Sequence, residues 1–287
     1  MGNFSEGVEM QNFFLRMRHE MEEAGIPSAS FELRQLIAAV TGEPFYEIRL
    51  ENEFTEAQLE SMEAAVRRRI AGEPLQYILG EWEFLGLPIG VGPGVLIPRP
   101  ETELLAGAAL DYLEPLADRQ PRALDLCCGS GCIAVALAKL TPHTRVTAVD
   151  LYEQPLRRTR ENARRNEVEL EVVQADALAA PPAGLGPFDA LVSNPPYIET
   201  RELDLLQPEV RREPREALDG GEDGLRFYRA ILQHWAPLLV PGGRLFLEVG
   251  IYQAQAVAQL LREAGMREVA AQEDYAGIER VVTGTRA

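Results

Sequence analysis

The tetrapeptide Asn194-Pro195-Pro196-Tyr197 is the stretch of this sequence whose residue types best suit chemistry on a substrate. It follows a short apolar run, Phe188 to Ser193, which predicts a buried strand. Two consecutive prolines fix φ and remove two backbone donors, so the turn is stiff. It offers a side-chain amide, free carbonyls and an aromatic ring. Such a turn could accept the N–H protons of a planar amide or amine and cover one face of it; an ordinary proline-rich surface loop is the alternative.

Acidic residues and a glycine turn accompany the strands upstream of this motif. Asp125 lies within the first predicted strand, and Asp150 and Asp176 follow the next two. Ligands of an open doubly wound sheet bind outside the carboxyl ends of its strands, at the topological switch point. An acid at position 150 can accept both ribose hydroxyls of a nucleoside, and Asp176 can accept from the exocyclic amine of adenine.

The same layout serves NAD, so the glycine turn and one acid do not decide the ligand. However, the run from Asp125 to Gly131 is not G-x-G-x-x-G. Asp125 would repel a pyrophosphate but could hold a cationic amino acid end, which favours S-adenosylmethionine over a dinucleotide. The predicted cofactor-binding residues are Asp125, Cys127, Cys128, Gly129, Ser130, Gly131, Asp150, Asp176, Ala177 and Asn194.

Composition narrows the class of protein. The net charge of −17 opposes a large non-specific phosphate-binding surface, so we expect no direct nucleic-acid partner. The three cysteines, Cys127, Cys128 and Cys132, are clustered, which suits a reducing cytoplasm and neither a disulfide framework nor a metal site. No apolar run approaches a membrane span, and the amino terminus does not resemble a signal peptide. We therefore expect a cytoplasmic protein without a metal or a membrane partner.

The pattern of predicted helices and strands divides the chain into three parts, with boundaries at 1–75, 76–94 and 95–287. The first part predicts a small helical bundle, in which Thr55 and Gln58 form a capping box. The second is a glycine-rich, β-like segment that we interpret as a hairpin linker. The predicted elements of these two parts are helices Val8–Ala24, Ser30–Val40 and Thr55–Ile70, a short piece at Phe45–Leu50, and β-like runs at Tyr77–Gly80, Trp82–Leu85 and Leu87–Val91.

The third part alternates strands and helices, which predicts an α/β fold: a seven-stranded, doubly wound, Rossmann-like sheet. A short loop separates the last two strands, so we expect them to run antiparallel at one edge. The predicted strands are Arg122–Cys127, Arg145–Val149, Leu170–Gln174, Phe188–Ser193, Arg244–Val249, Met266–Ala271 and Arg280–Gly284. The predicted helices are Glu103–Leu113, Ile133–Leu140, Glu153–Asn166, Leu225–Leu239 and Gln253–Ala264.

These motifs together resemble class I S-adenosylmethionine-dependent methyltransferases, and the Asn-Pro-Pro-Tyr turn is similar to that of enzymes that methylate planar nitrogens. Three segments further resemble the HemK/PrmC-like release factor glutamine methyltransferases, over nearly the whole chain. They are Tyr77-Ile78-x-Gly80, Ile97-Pro98-Arg99-Pro100-Glu101-Thr102-Glu103, and the run from Glu213 to Leu225. Cys127 departs from the glycine that many relatives carry, although its backbone can still meet a cofactor.

The resemblance implies methyl transfer from S-adenosylmethionine to the side-chain amide nitrogen of the glutamine in the Gly-Gly-Gln loop of a peptide chain release factor. S-adenosylhomocysteine would be the product, and the helical part would dock the protein substrate. The implied catalytic residues are Asn194, Pro195, Pro196 and Tyr197; these, with Arg99 and Glu101, are also the implied substrate-binding residues. Two alternatives remain: methylation of a ribosomal-protein glutamine or of adenine in nucleic acid, and a non-enzymatic binding module of degenerate methyltransferase fold.

Overall fold

The computed structural model describes residues 3–43, 47 and 54–287. The chain splits into two compact units, one comprising Met1–Gly80 with Pro208–Arg212 and the other comprising Glu81–Gln207 with Glu213–Ala287. The predicted piece at Phe45–Leu50 lies outside the described residues, apart from position 47. The three-part functional division stays a prediction; in the structure the hairpin belongs to the second unit.

The first unit is helical, as the apolar periodicity predicts. Its core contains Phe14 and Met17 from the first helix and Met62 and Val66 from the third. Thr55 caps the third helix, with the predicted capping box formed in both directions. The helices of this unit are α1 (Asn3–Glu23), α2 (Ala29–Thr41), α3 (Glu56–Ile70) and α4 (Leu75–Leu79).

The β-like interpretation of Tyr77–Gly80 is wrong, because these residues continue the short helix α4 and end at Gly80 in a left-handed conformation. The reason is tertiary: Leu75, Ile78 and Leu79 pack on the core of the helical unit, and this burial outweighs a weak β preference. The hairpin that follows is confirmed as an antiparallel pair of strands, β1 (Glu81–Phe84) and β2 (Leu87–Gly90).

The second unit is built on a mixed seven-stranded sheet with flanking helices, which confirms the predicted fold class. The strands are β3 (Arg122–Leu126), β4 (Arg145–Asp150), β5 (Glu171–Gln174), β6 (Phe188–Ser193), β9 (Leu239–Glu248), β10 (Arg267–Glu273) and β11 (Glu279–Thr285), and a separate small sheet pairs β7 (Ile198–Glu199) with β8 (Asp219–Gly221). The spatial order of the strands in the large sheet is β10-β11-β9-β6-β3-β4-β5.

Five strands of the large sheet run parallel, and the last two form the predicted antiparallel pair at one edge. The helices are α5 (Pro100–Leu113), α6 (Cys132–Leu140), α7 (Glu153–Arg165), α8 (Arg226–Ala230) and α9 (Ala254–Glu263). The chain runs outward from β3 through β4 to β5 and then returns to β6 on the other side of β3. The switch point therefore lies between the carboxyl ends of β3 and β6.

The long helix predicted over Leu225–Leu239 is wrong in its second half. Only Arg226–Ala230 is α-helical; Ile231–Trp235 forms a π-turn, and Ala236–Leu238 forms a 3₁₀ turn. Pro237 explains the change, because it has no backbone N–H to donate and its ring crowds the preceding turn. Among the described residues, no helix is both long and apolar enough to cross a membrane.

Candidate active site

A cavity of about 400 Å³ opens at the carboxyl ends of β3 and β4 and extends to the Asn-Pro-Pro-Tyr turn after β6. Its position is the switch point of the sheet, and its volume is in the range of small-molecule sites. Seven of the predicted site residues line it: Cys127, Gly129, Asp150, Asp176, Ala177, Asn194 and Pro196.

Asp150 and Gly129 form one polar wall of this cavity. The Gly129 N–H donates to Asp150 Oδ2 over 3.0 Å, and the Tyr152 N–H donates to Oδ1 over 3.1 Å. Burial raises the pKa of the Asp150 carboxyl, while these backbone donors lower it. The carboxylate is thus held in place, with further lone pairs for hydroxyl donors.

The two glycines of the first turn have different tasks. Gly129 has φ +54°, and a side chain there would meet nothing within 4 Å, so its backbone is open to a ligand. A Cβ at Gly131 would lie 2.7 Å from Thr159 Cγ2, so this glycine is required by the contact with α7. Cys127 also has a left-handed φ, +64°, a conformation that residues other than glycine seldom adopt.

Asp125 lies beneath the cavity floor and does not line the cavity. It is fully buried, and its Oδ2 accepts from the Ala134 N–H at the start of α6 over 3.0 Å. Burial raises its pKa to about 7, with Asp150 adding to the rise. Cys128, Ser130 and Gly131 also lie outside the cavity wall. A direct cofactor contact for these four residues stays a prediction.

The substrate-binding predictions fall on residues that are already paired. Arg99 forms an ion pair with Glu213, whose other oxygen accepts from the Ile97 N–H over 2.9 Å. Glu101 lies 3.9 Å from Arg280. Neither Arg99 nor Glu101 lines the cavity. Their role in substrate binding stays a prediction. Their ion pairs hold Arg99 and the first turn of α5 in place.

The Asn-Pro-Pro-Tyr turn is braced from two sides. The Tyr197 carbonyl accepts from Gln253 Nε2 over 2.8 Å, and the Ile198 N–H donates to the Leu218 carbonyl over 2.9 Å. Pro195 is buried and Tyr197 is half-buried, and neither lines the cavity. Burial raises the pKa of the Tyr197 hydroxyl, so this ring stays neutral. The turn therefore keeps its backbone carbonyls in fixed directions.

Thr102 and Glu248 lie behind Asn194, and the sequence analysis did not identify either of them as part of the site. Asn194 Nδ2 donates to Thr102 Oγ1 over 3.1 Å, and that hydroxyl donates to Glu248 Oε2 over 2.7 Å. The sequence predicts a helix that begins at Glu103, whereas α5 begins at Pro100 and includes Thr102. Glu248 ends β9 as Asp150 ends β4, so an acid at a strand's carboxyl end was the signal that would have found it.

Glu248 also predicts a pH dependence of stability. Burial raises its pKa to about 7, so between pH 4.5 and 7 the folded chain keeps a proton that the unfolded chain has lost. This contribution to the free energy of unfolding is greatest at low pH and falls as pH rises to 7. Relative to Glu248→Gln, the free energy of unfolding of the wild type should fall by roughly 3 kcal/mol between pH 4 and 8. Urea unfolding of both proteins measures the difference, with Glu263→Gln as the exposed control; a constant difference would contradict the prediction.

The comparisons with known proteins agree with this geometry. Residues 14–80 match the family described as the PrmC N-terminal domain, and residues 106–222 match the methyltransferase small domain. A release factor glutamine methyltransferase of Geobacter sulfurreducens is 41% identical over 93% of this chain and 93% of its own length. This chain belongs to the release factor glutamine methyltransferase family.

Another member of the release factor glutamine methyltransferase family, from Deinococcus radiodurans, is 36% identical over 98% of this chain and 99% of its own. A solved methyltransferase structure from Pyrococcus furiosus is 19% identical, with a TM-score of 0.52, and the match covers 78% of this chain and 98% of that one. That second likeness concerns the fold alone. Family membership therefore rests on sequence similarity across both units.

Proposed function

We propose that this chain transfers a methyl group from S-adenosylmethionine to the side-chain amide nitrogen of a glutamine in a peptide chain release factor. The observation that carries the proposal is that one cavity joins the Asp150 wall to Asn194. Its relatives are named for this activity. The glutamine would be that of the Gly-Gly-Gln motif, and a translation factor as acceptor would place the reaction in the cytoplasm.

The residues of the cavity fit this methyl donor. Asp150 offers lone pairs to ribose hydroxyls, and Asp176, whose Oδ1 is fixed by the Leu178 N–H at 2.8 Å, can accept from the adenine amine. Ala177 and Phe227 add apolar surface for a planar base. The excess of carboxylates along the wall suits a cationic ligand. When bound, S-adenosylmethionine supplies an activated methyl group on a positively charged sulfur.

The chain's own contribution is to orient a weak nucleophile. The lone pair of an amide nitrogen is delocalised, so this nitrogen is a poor nucleophile. Asn194 Oδ1 and the Pro195 carbonyl would accept the two N–H protons of the substrate amide and aim its nitrogen at the methyl group. Both hydrogen bonds strengthen as positive charge develops on nitrogen. Tyr197 would cover one face of the amide.

Asp150→Asn tests the donor half of this site. The amide offers fewer acceptor lone pairs to ribose hydroxyls, and its NH₂ would oppose one of the two backbone N–H donors. Affinity for S-adenosylmethionine should fall about tenfold to thirtyfold, the loss of one or two hydrogen bonds to a charged group. Isothermal titration measures it, and Asp111→Asn, exposed on α5, removes the same charge away from the cavity. Equal affinities for the two variants would remove Asp150 from the cofactor site.

The proposed activity is tested with labelled S-adenosylmethionine and separate acceptors. These are a release factor, the same factor with its Gly-Gly-Gln glutamine replaced by alanine, a ribosomal protein, and DNA. Label should enter the unmodified release factor and not its alanine variant. Label that enters the ribosomal protein or DNA but not the release factor would overturn the proposal in favour of that acceptor.

A further inference from the structure

The buried hydroxyl of Thr102 and the buried carboxyl group of Glu248 form a chain of hydrogen bonds behind Asn194. The line runs from Asn194 Nδ2 to Thr102 Oγ1 over 3.1 Å and from that hydroxyl to Glu248 Oε2 over 2.7 Å. Thr102 is 2% exposed and Glu248 is 1% exposed. The three residues come from α5, β9 and the loop after β6, which are distant in sequence. We call this line the Glu248 relay.

The ionised carboxylate fixes the direction of every hydrogen bond in the relay. A carboxylate only accepts, so the single proton of the Thr102 hydroxyl must be donated to Glu248. The Thr102 oxygen is then left to accept, and only the NH₂ end of the Asn194 amide can donate to it. The carbonyl end, Oδ1, must therefore face away from Thr102.

We propose that Glu248, acting through Thr102, is a positioning residue that turns the carbonyl oxygen of Asn194, rather than its NH₂ group, toward the acceptor amide. This inference rests on the proposed function. The substrate amide that receives the methyl group donates hydrogen bonds through its N–H groups, so it needs the carbonyl end of Asn194, which accepts them. The reverse orientation would set two NH₂ groups against each other.

The surroundings of Glu248 support this role over that of a structural ion pair. In the part of the chain that the structure describes, no arginine lies within 4.0 Å of its carboxylate. The carboxylate instead accepts a hydrogen bond from the Thr102 hydroxyl. Its backbone is fixed separately, because the Tyr228 hydroxyl donates to the Glu248 carbonyl over 2.9 Å. Burying a carboxylate without a cationic partner is costly, so a compensating task is expected.

Protonation of Glu248 would release this constraint. A protonated carboxyl group can donate to Thr102, whose own proton is then free for Asn194 Oδ1, and the whole line can reverse. Burial holds the pKa of Glu248 at about 7, with Glu101 raising it and Arg280 and Arg99 lowering it. The charged and titratable groups facing it are Glu101, Arg99, Arg280, Tyr197, Tyr228 and Cys132, from five surrounding segments. Turnover should therefore rise with pH through about 7.

Thr102→Val and Thr102→Ser test the relay by turnover. Valine keeps the shape but removes both hydrogen bonds, so kcat should fall about tenfold to thirtyfold while the KM for S-adenosylmethionine changes less than about threefold. Serine keeps the hydroxyl and should recover most of the lost kcat. Wild-type kcat in the valine variant, or an equal loss in both variants, would overturn the relay.

Glu248→Gln tests the source of the pH dependence. Glutamine cannot change charge, so the rise of kcat between pH 6 and 8 should disappear. The pKa of Asp125 is also near 7, so Asp125→Asn is the control; this variant should keep the rise of kcat with pH. A wild-type pH profile in Glu248→Gln would overturn the role of Glu248.

A spectroscopic measurement separates this inference from the proposed function, because it needs no acceptor. The side-chain amide protons of Asn194, identified by their loss in Asn194→Ala, should shift with a midpoint near pH 7 in the wild-type ¹⁵N spectrum. The titration should vanish in Glu248→Gln and in Thr102→Val. If every acceptor stays unmethylated, the proposed function fails while these shifts still decide the relay. If methylation occurs but the Asn194 amide protons still titrate near pH 7 in both variants, the relay alone is overturned.

Discussion

Replacing Asn194 with alanine is expected to lower the rate of methyl transfer to the acceptor glutamine by about a thousandfold at saturating substrates, comparable to losing one preorganised hydrogen-bonding group at a reacting centre. The change removes the Oδ1 acceptor that would orient the amide nitrogen. Cofactor affinity should weaken only moderately, because Asn194 is one of many residues that line the cavity. Single-turnover transfer of labelled methyl, together with isothermal titration of the cofactor, measures both effects.

Asn194→Asp is the matched control for this prediction. It keeps an oxygen at the same place but cannot donate to Thr102, and it adds a charge beside Tyr197. We expect a rate between those of the wild type and the alanine variant. Turnover of Asn194→Ala at the wild-type level would remove Asn194 from the mechanism.

Gly220→Ala is expected to reduce kcat/KM for the acceptor by about a hundredfold, since an error of about 1 Å in the placement of reacting groups costs that much. A Cβ at this position would lie 2.6 Å from Tyr197 Cα, 2.7 Å from Tyr197 C and 2.9 Å from the Pro196 oxygen. All three are backbone atoms, so the Asn-Pro-Pro-Tyr turn itself must move. Steady-state kinetics with the release factor measures the loss.

Gly107→Ala is the control, because a Cβ there meets nothing within 4 Å in the middle of α5. It should leave activity unchanged and stabilise the protein by about 0.5–1 kcal/mol through helix propensity. Cofactor affinity should change little in Gly220→Ala, since Gly220 lies outside the cavity wall. Wild-type kcat/KM in Gly220→Ala would show that the turn tolerates displacement.

The parts of the fold that sequence analysis predicted well are those with a local cause. The strand Phe188–Ser193 has its predicted bounds, because the mainly apolar run ends just before Asn194, which two prolines follow. Thr55 and Gln58 form their capping box because both partners lie within one turn of helix. The glycine turn between β1 and β2 likewise acts on adjacent residues. In each case the determining contact spans only a few positions.

The failures have long-range causes. The helix α4 depends on a core supplied by three other helices, so its five residues carry too little local information to predict it. The sequence analysis did not predict that Asp125 is fully buried and accepts from the Ala134 N–H at the start of α6; its contact with the cofactor stays a prediction. Thr102 and Glu248 are 146 positions apart. Nothing within either segment indicates the other, so the Glu248 relay required the three-dimensional structure.

The discontinuity of the helical unit has a consequence for synthesis of the chain. Pro208–Arg212 belongs to that unit, where Glu209 lies 3.1 Å from the buried Arg69 and Arg212 donates to the Ala71 carbonyl. These residues leave the ribosome roughly 130 positions after Gly80. At about 5–20 residues per second, the amino-terminal helices are therefore synthesised roughly 6–26 s before this segment. Of the two ion pairs that the described residues form with Arg69, only the one with Glu32 can exist in that interval. The helical unit is therefore completed only after strands β3 to β6 of the second unit have been synthesised.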